Sequence, residues 1–199
     1  MRADAARNRR LLLEAATAEF AEHGMEVSIA RIAARAGIGK GTVFRHFASK
    51  EHLLTAIFEH RLDQVAARGE ELLDHADAGR ALLTFMADTI ESQAADRSFC
   101  QAVSLRKRQD ARLRAASDRL VAAAQALTAR AVAAGAVRDD VTGHDIVLLI
   151  NAVAQATSPL GDAAPGLWRR YLGLVFDGLR PQAAHPLPVP APTTLTPGT

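Results

Sequence analysis

The sequence predicts an all-α fold of about nine helices, and three observations support this prediction. Nearly half of the 199 residues are hydrophobic (49%), many of them alanine, whereas only 5% are aromatic. Long stretches lack any run of β-branched residues, and apolar residues recur at spacings of three and four positions. A chain of this length can bury one sizeable core or two small ones. We therefore expect helices packed against helices.

Composition also limits where the protein works. The single cysteine, Cys100, cannot form an internal disulfide, and residues 1–10 are charged with no apolar segment behind them that resembles a signal peptide. The most apolar run, residues 146–154, is far shorter than the roughly 20 residues that cross a bilayer. We expect a cytoplasmic protein with no membrane role.

The N-terminal part of the chain has the pattern of three helices that lead into a long fourth one. Ser28 is a favourable N-cap for the second helix and Gly37 a favourable exit from it, while Ser49 caps the fourth. His23-Gly24 is a typical end for the first. The predicted spans are residues 5–22, 28–37, about 39–46, and a long helix from about residue 50.

The rest of the chain continues the helical pattern. The fourth helix keeps an apolar stripe as far as Val65, and Gly69 is a candidate position for a kink. Thr142, followed three residues later by Asp145, is typical of a capped helix start. Further amphipathic patterns predict helices over residues 80–95, 98–108 and 110–134.

Two segments near the C-terminal end, residues 146–154 and 167–179, are apolar over a broad part of their surface. Such helices need cover on two sides, which either the protein's own core or a helical subunit interface can supply, and we favour the interface. The candidate interface residues are Ile146, Leu149, Ile150, Val153, Trp168, Leu172, Val175 and Phe176.

Residues 28–47 have the pattern of a helix-turn-helix, in which a short helix and a tight turn support a second helix that enters the major groove. The apolar residues, Val43 and Phe47 among them, fall where they can pin the two helices together. Residues 1–50 also hold nine Lys or Arg against five Asp or Glu, although the whole chain carries only +2. The sequence therefore predicts a sequence-specific DNA-binding regulator of transcription. The outward-facing candidates are Lys40, Thr42, Arg45 and His46.

The stretch SIARIAARAGIGKGTVFRHFASKE, residues 28–51, resembles the signature of the tetracycline-repressor-like (TetR) family. Its I-A-x-x-A-G, G-x-[VLI]-[YF]-x-H-F and S-K-E-x-L segments all have the spacing of that family, and a first helix precedes them. The resemblance is close over residues 5–60. Beyond these, only the number of helices and the apolar character of the last two are similar.

The resemblance implies a role for each residue of the motif. Lys40, Thr42 and Arg45 read or approach bases, since Lys and Arg pair with guanine and the Thr methyl packs on thymine. Family members commonly have Tyr where this chain has Phe44, so a phenolic contact to phosphate is missing and the ring is left for packing or for a thymine methyl. Simple solvation of the charged residues, and packing of His46, are the alternatives. The residues implied at phosphates are Ser28, Gly41, Phe44, His46 and Lys50.

The resemblance also implies an assembly and a control mechanism. Two chains pair through their last two helices, and the two recognition helices read a near-palindromic operator. A small, largely apolar ligand enters a cavity among the middle helices and releases the DNA, with no cofactor or metal. The pocket candidates, each of which also fits a core position, are Phe85, Thr89, Phe99, Cys100, Val103, Leu127 and Asn151.

This assignment divides the chain into three parts. Residues 1–50 are the predicted helix-turn-helix domain, and residues 51–180 are the predicted helical ligand-binding and dimerisation domain. Residues 181–199 hold six of the eight prolines and almost no charge, so they cannot sustain a helix or a core. We expect a disordered tail there.

Other functions fit the sequence less well. A nucleoid-like or scaffold protein that binds DNA without sequence preference remains the alternative. The glycines around Lys40 lack the spacing of a phosphate loop, and the seven histidines form no H-x-x-x-H pair, so an enzyme is not expected. A basic cluster between Arg106 and Arg119 is typical of a solvated helix face, although an acidic ligand or flanking DNA also suits it.

Overall fold

The computed structural model describes residues 2–24, 26–94 and 110–194, and every regular element within these ranges is a helix. The all-α prediction is therefore confirmed, while the helix predicted over residues 98–108 lies outside the described residues. None of the described helices contains an apolar stretch long enough to span a membrane. Two short 3₁₀ segments, Ser158–Leu160 and Pro181–Ala183, accompany eight α-helices. These are α1 (Arg2–His23), α2 (Ile29–Arg35), α3 (Lys40–His46), α4 (Lys50–Leu72), α5 (Ala78–Ala94), α6 (Ala111–Ala133), α7 (Gly143–Thr157) and α8 (Leu167–Gly178).

The ends of these helices follow the local signals in the sequence. The Ser28 hydroxyl accepts a hydrogen bond from the backbone N–H of Arg31, as an N-cap does. Gly37 follows α2 with φ of +65°, a left-handed conformation that glycine adopts without strain. At the start of α7, Thr142 and Asp145 form the reciprocal capping box that their spacing predicts.

The described residues divide into two compact units. The first contains residues 2–24, 26–61 and 110–113, and the second contains residues 62–94 and 114–194. The core of the first unit joins α1, α2, α3 and the beginning of α4. It is formed by large apolar side chains that are almost fully buried, namely Leu12, Phe20, Ile32, Val43, Phe47, Leu53, Ile57 and Leu113.

In the second unit, α5 packs against α7 and α8, and α7 also packs against α8. The end of α4 belongs to this unit, and it continues without interruption through Gly69 to Leu72. A Cβ atom at position 69 would lie 2.9 Å from the Cβ of Ala123 and 3.0 Å from the Phe85 ring. Gly69 is therefore a point of close helix packing, and the helix continues through it.

Candidate DNA-binding site

The candidate site consists of α2, the turn around Gly37 and α3, which rest on α1. Ile32 of α2, Val43 of α3 and Phe47 at the end of α3 are all buried in the core of the first unit. Ile29 and Ile38 pack against the same core and are partly buried. The apolar residues expected to pin the two helices together are thus in the predicted positions, and the remaining residues of α3 are left on its outer side.

A network of ion pairs fixes α2 to the end of α1. The carboxylate of Glu19, which is only 5% exposed, accepts a hydrogen bond from Nε of Arg31 at 2.6 Å and another from Arg35 at 3.3 Å. Arg35 also donates two hydrogen bonds to Glu22, at 2.8 and 2.7 Å. This two-point geometry restrains the relative orientation of the helices, because a guanidinium group and a carboxylate fit each other in one plane.

The same cluster resembles a metal site only superficially. Glu19, Glu22 and His23 offer ligand atoms within 4.8 Å of one another. Both carboxylates already accept hydrogen bonds from arginines, and the His23 ring nitrogen contacts a nitrogen of Arg31. A bound cation would have to displace these positive groups, so the cluster is an ion-pair network.

Some basic residues of this unit pair with acids, and others do not. Arg31 and Arg35 are bound to acids as described, and Arg10 lies 3.6 Å from a carboxylate oxygen of Glu14. Lys40 and Arg45 are exposed, and neither forms an ion pair with any described residue. The unpaired positive charge of the helix-turn-helix is therefore concentrated on α3.

Two further basic residues, Arg9 and Lys50, contact aromatic rings. The guanidinium carbon of Arg9 lies 5.0 Å from the centre of the Phe47 ring, and Nζ of Lys50 lies 5.9 Å from the centre of the Phe20 ring. Such cation–π contacts hold a basic side chain in place. Arg9 was not among the candidates drawn from the sequence, because only the fold places it beside the end of α3.

The other predicted contact residues have distinct surroundings. Gly41 is exposed, Thr42 and His46 are half-buried, and the ring of His46 is tilted by 46° against that of Phe47, 6.3 Å away. Phe44 is 47% exposed, unlike its neighbour Val43. The ring of Phe44 therefore does not belong to the buried core of the first unit.

The contact with Arg35 changes the acid–base behaviour of Glu22. Hydrogen bonds from the Arg35 guanidinium hold the pKa of the Glu22 carboxyl below its ordinary value of 4.5. A carboxyl whose pKa is lower in the folded than in the unfolded protein stabilises the fold above its unfolded pKa. That stabilisation is lost as the pH falls through the folded pKa.

We predict that Glu22→Gln flattens the loss of stability between about pH 5 and pH 3, because glutamine does not titrate. The measurement is the urea midpoint of unfolding at a series of pH values. Glu14→Gln serves as the control, since Glu14 is another exposed carboxylate of α1. An acid-induced loss as steep in Glu22→Gln as in the unmodified protein would contradict the prediction.

The ligand candidates lie in the second unit or outside the described residues. Phe85, Thr89 and Leu127 are buried, whereas Asn151 is exposed and its side-chain oxygen accepts a hydrogen bond from Gln93 at 3.2 Å. The other three candidates, Phe99, Cys100 and Val103, lie outside the described residues. The structure therefore brings three of the seven candidates into an interior and leaves one at the surface.

The proposed interface residues are mostly covered within the protomer. Six of the eight are buried, and Leu149 and Val175 are partly buried. The large apolar residues that remain exposed on α7 and α8 are Leu148, Tyr171 and Leu174, which are 48%, 44% and 57% exposed. A helix that is apolar on two sides buries one side in the core of its protomer, and the sequence does not show which side this is.

The basic cluster of residues 106–119 is described only in part. Arg112 and Arg114 are exposed on α6, whereas Nε of Arg119 donates a hydrogen bond to Asp63 at 2.9 Å. Arg106, Lys107 and Arg108 lie outside the described residues.

Comparison with known families agrees with this architecture. Residues 12–57 match the family "Bacterial regulatory proteins, tetR family", and residues 77–181 match "Transcriptional regulator SbtR-like, C-terminal domain". An HTH-type transcriptional regulator of Staphylococcus aureus is 39% identical over 75 residues, which are 37% of this chain and 40% of that relative. The match thus spans about two fifths of the length of this curated relative.

Solved structures match over nearly the whole chain. A TetR transcription regulatory protein from Mycobacterium vanbaalenii is 35% identical, with a TM-score of 0.71, over 90% of this chain and 98% of that one. FadR from Bacillus subtilis in complex with stearoyl-CoA is 19% identical and has the same fold, with a TM-score of 0.66 over 88% of this chain and 99% of that one. With a helix-turn-helix and a helical C-terminal part that both match, this chain belongs to the TetR family of transcriptional regulators.

Proposed function

We propose that the protein is a homodimeric repressor that binds a near-palindromic operator and is released by a small, largely apolar ligand. The observation that carries the DNA-binding part is the distribution of charge in the first unit. Acids bind the arginines of α2, while Lys40 and Arg45 of α3 are exposed and form no ion pair with the described residues. A recognition helix needs this arrangement, because bases and phosphates are then the partners that its basic side chains meet.

The side chains divide between base and phosphate contacts by their chemistry. Lys40 and Arg45 can donate to guanine, and the methyl group of Thr42 can pack on thymine. We assign phosphate contacts to groups that donate hydrogen bonds or carry charge, or that allow the DNA backbone to approach closely. These are Ser28, Gly41, His46 and Lys50.

The dimer is supported by the apolar surface left on α7 and α8. Leu148, Tyr171 and Leu174 are large side chains with roughly half of their surface exposed. Exposed apolar side chains on two helices that pack together are typical of a subunit interface. Two such pairs of helices, one from each subunit, form a four-helix bundle. The two recognition helices would then meet half-sites about one helical turn of DNA apart, roughly 34 Å.

The apolar character of the interior of the second unit supports an apolar ligand. The hydroxyl of Thr89 donates a 2.7 Å hydrogen bond to the carbonyl of Phe85, and that of Thr128 donates to Ala124 at 2.7 Å. These buried hydroxyls already donate to carbonyls of their own helices. The neighbouring Phe85 and Leu127 are buried and apolar, so the interior around them is mainly apolar. The acyl-CoA complex of FadR agrees with such a ligand, although that protein shares only the fold.

Release of DNA requires the ligand to bind one conformation better than another. A tenfold loss of operator affinity corresponds to about 1.4 kcal/mol of coupling between the two sites. Helix α4 begins in the first unit and ends in the second, so a shift of this helix offers a route for the coupling.

The direct test is the selection of bound fragments from genomic DNA, followed by competition. We expect enrichment of one near-palindromic sequence, from which excess random duplex of equal length displaces the protein poorly. If random duplex competes as well as the selected sequence, the protein is a non-specific DNA-binding protein and the proposal fails. Titration of the selected complex with fatty acids and acyl-CoA thioesters then tests for release by apolar ligands.

Arg9 provides a further prediction about the same surface. Because Arg9 is held beside Phe47 at the end of α3, we propose that it contacts a phosphate in addition to the residues assigned above. We expect Arg9→Gln to reduce the slope of log affinity against log salt concentration by about 0.9 per protomer through the loss of this contact. Fluorescence anisotropy with the selected operator and with random duplex measures both slopes, and the reduction should be the same for the two DNAs.

Arg10→Gln is the matched control for this prediction. It removes the same charge from the next residue of α1, but Arg10 lies beside Glu14. Its slope should change less than that of Arg9→Gln. Equal slopes for the two variants would show that Arg9 makes no specific phosphate contact.

A further inference from the structure

The exposed ring of Phe44 is the most unusual feature of the recognition helix. Phe44 lies on α3 between Val43, which is fully buried, and Arg45, which is exposed. With 47% of its surface exposed, the ring contributes little to the core of the first unit. A large apolar side chain at this place needs a different explanation, because the surrounding surface is otherwise suited to a polyanion.

The chemistry of the ring excludes a hydrogen bond to phosphate. A phenyl group has no polar hydrogen to donate to a phosphate oxygen, unlike the hydroxyl of a tyrosine. In the major groove, the C5-methyl group of thymine is the apolar group that base edges present, and apolar side chains, including Phe, contact it. Phe44 is therefore matched to a thymine.

The local geometry leaves room for such a contact. Long side chains on a helix tend to point back towards the preceding turn, which for Phe44 is the turn that contains Gly41. Gly41 has no side chain, and apart from its chain neighbours and the backbone of its own helix no described atom lies within 4 Å of the position that its Cβ would occupy. This turn is at the N-terminal end of α3, the part of a recognition helix that contacts base edges.

We propose that Phe44 reads a thymine of each operator half-site through its C5-methyl group and so determines specificity at that position. This inference rests on the proposed function, since it requires a specific operator. It replaces the phosphate role that the family resemblance implies for this position.

The test replaces each thymine of the selected operator, one symmetric pair at a time, by deoxyuridine, which lacks only the methyl group. We expect the replacement of one of these thymine pairs to weaken binding of the unmodified protein by about fourfold per half-site, which is the effect of one buried methyl group. For Phe44→Ala, binding should be weaker overall and the same substitution should have no further effect. Phe44→Tyr should retain the sensitivity, because its ring is kept.

Thr42→Ser serves as the matched variant, since Thr42 also carries a methyl group that can contact thymine. Thr42→Ser should not change the effect of deoxyuridine at the thymine that is assigned to Phe44. It can abolish only the effect of deoxyuridine at a different thymine. The urea midpoint of each variant should equal that of the unmodified protein, because Phe44 is outside the core.

The outcomes separate this inference from the proposed function. If a specific operator is selected but Phe44→Ala keeps the full deoxyuridine effect at every thymine, the inference is wrong and the regulator function stands. The same holds if the selected half-site contains no thymine. If no specific operator is selected, the proposed function fails and the inference fails with it.

Discussion

Leu174→Glu is expected to convert the proposed dimer into a monomer and to weaken operator binding by roughly a hundredfold or more. Leu174 is 57% exposed on α8, and the proposed interface would cover it. A buried, unpaired carboxylate there would oppose association. Loss of the dimer also removes the high effective concentration at which the second recognition helix meets its half-site, an advantage of about 10²–10⁴.

Sedimentation velocity measures the change of mass, and fluorescence anisotropy measures the affinity for operators with one and two half-sites. Leu187→Glu is the matched control, because Leu187 is 49% exposed but lies beyond the end of α8. It should leave both the mass and the affinity unchanged. A Leu174→Glu protein that remains a dimer would show that subunits pair through another surface.

Gly143→Ala is expected to lower the free energy of unfolding of the second unit by about 1–3 kcal/mol. A Cβ atom at position 143 would lie 2.4 Å from the backbone nitrogen of Gln125 and 2.6 Å from its Cα. These are backbone atoms of α6, so the contact cannot be relieved by rotating a side chain. The start of α7 would have to move, and the 2.8 Å hydrogen bond from the Gly143 N–H to Oε1 of Gln125 would be lost with it.

Urea unfolding monitored by circular dichroism gives the change in free energy. Gly173→Ala is the control within the same unit, because nothing lies within 4 Å of the Cβ that it would add to α8. Alanine favours a helix over glycine, so this variant should be equally stable or slightly more stable than the unmodified protein. If Gly143→Ala is also neutral, α6 and α7 do not approach as closely as described.

The parts of the fold that were predicted correctly depend on neighbouring residues along the chain. A hydroxyl at Ser28 and the Thr142–Asp145 pair define helix starts within three residues, and Gly37 provides the left-handed exit from α2. The spacing of Val43 and Phe47 places them on one side of a helix, and both are buried. Local hydrogen bonding and helical periodicity are sufficient to explain these successes.

The features that sequence reasoning missed join residues that are distant along the chain. Gly69 was interpreted as a possible kink, although its lack of a side chain serves the close approach of Ala123. Glu19 is an ordinary charged residue in the sequence, but in the fold it is buried between two arginines of α2. No periodic pattern contains the information that these residues meet.

By itself, the sequence determined the class of fold, the position of the helix-turn-helix and the residues of α3 that are free of the core, because these properties follow from local geometry and apolar spacing. The tertiary structure decided which basic residues are bound to acids and which remain unpaired. It also decided that Ile146 and Trp168 are covered within the protomer while Leu148 and Leu174 stay exposed. These decisions depend on packing between helices, since a helix that is apolar on two sides has no preferred inner side until its neighbours are in place.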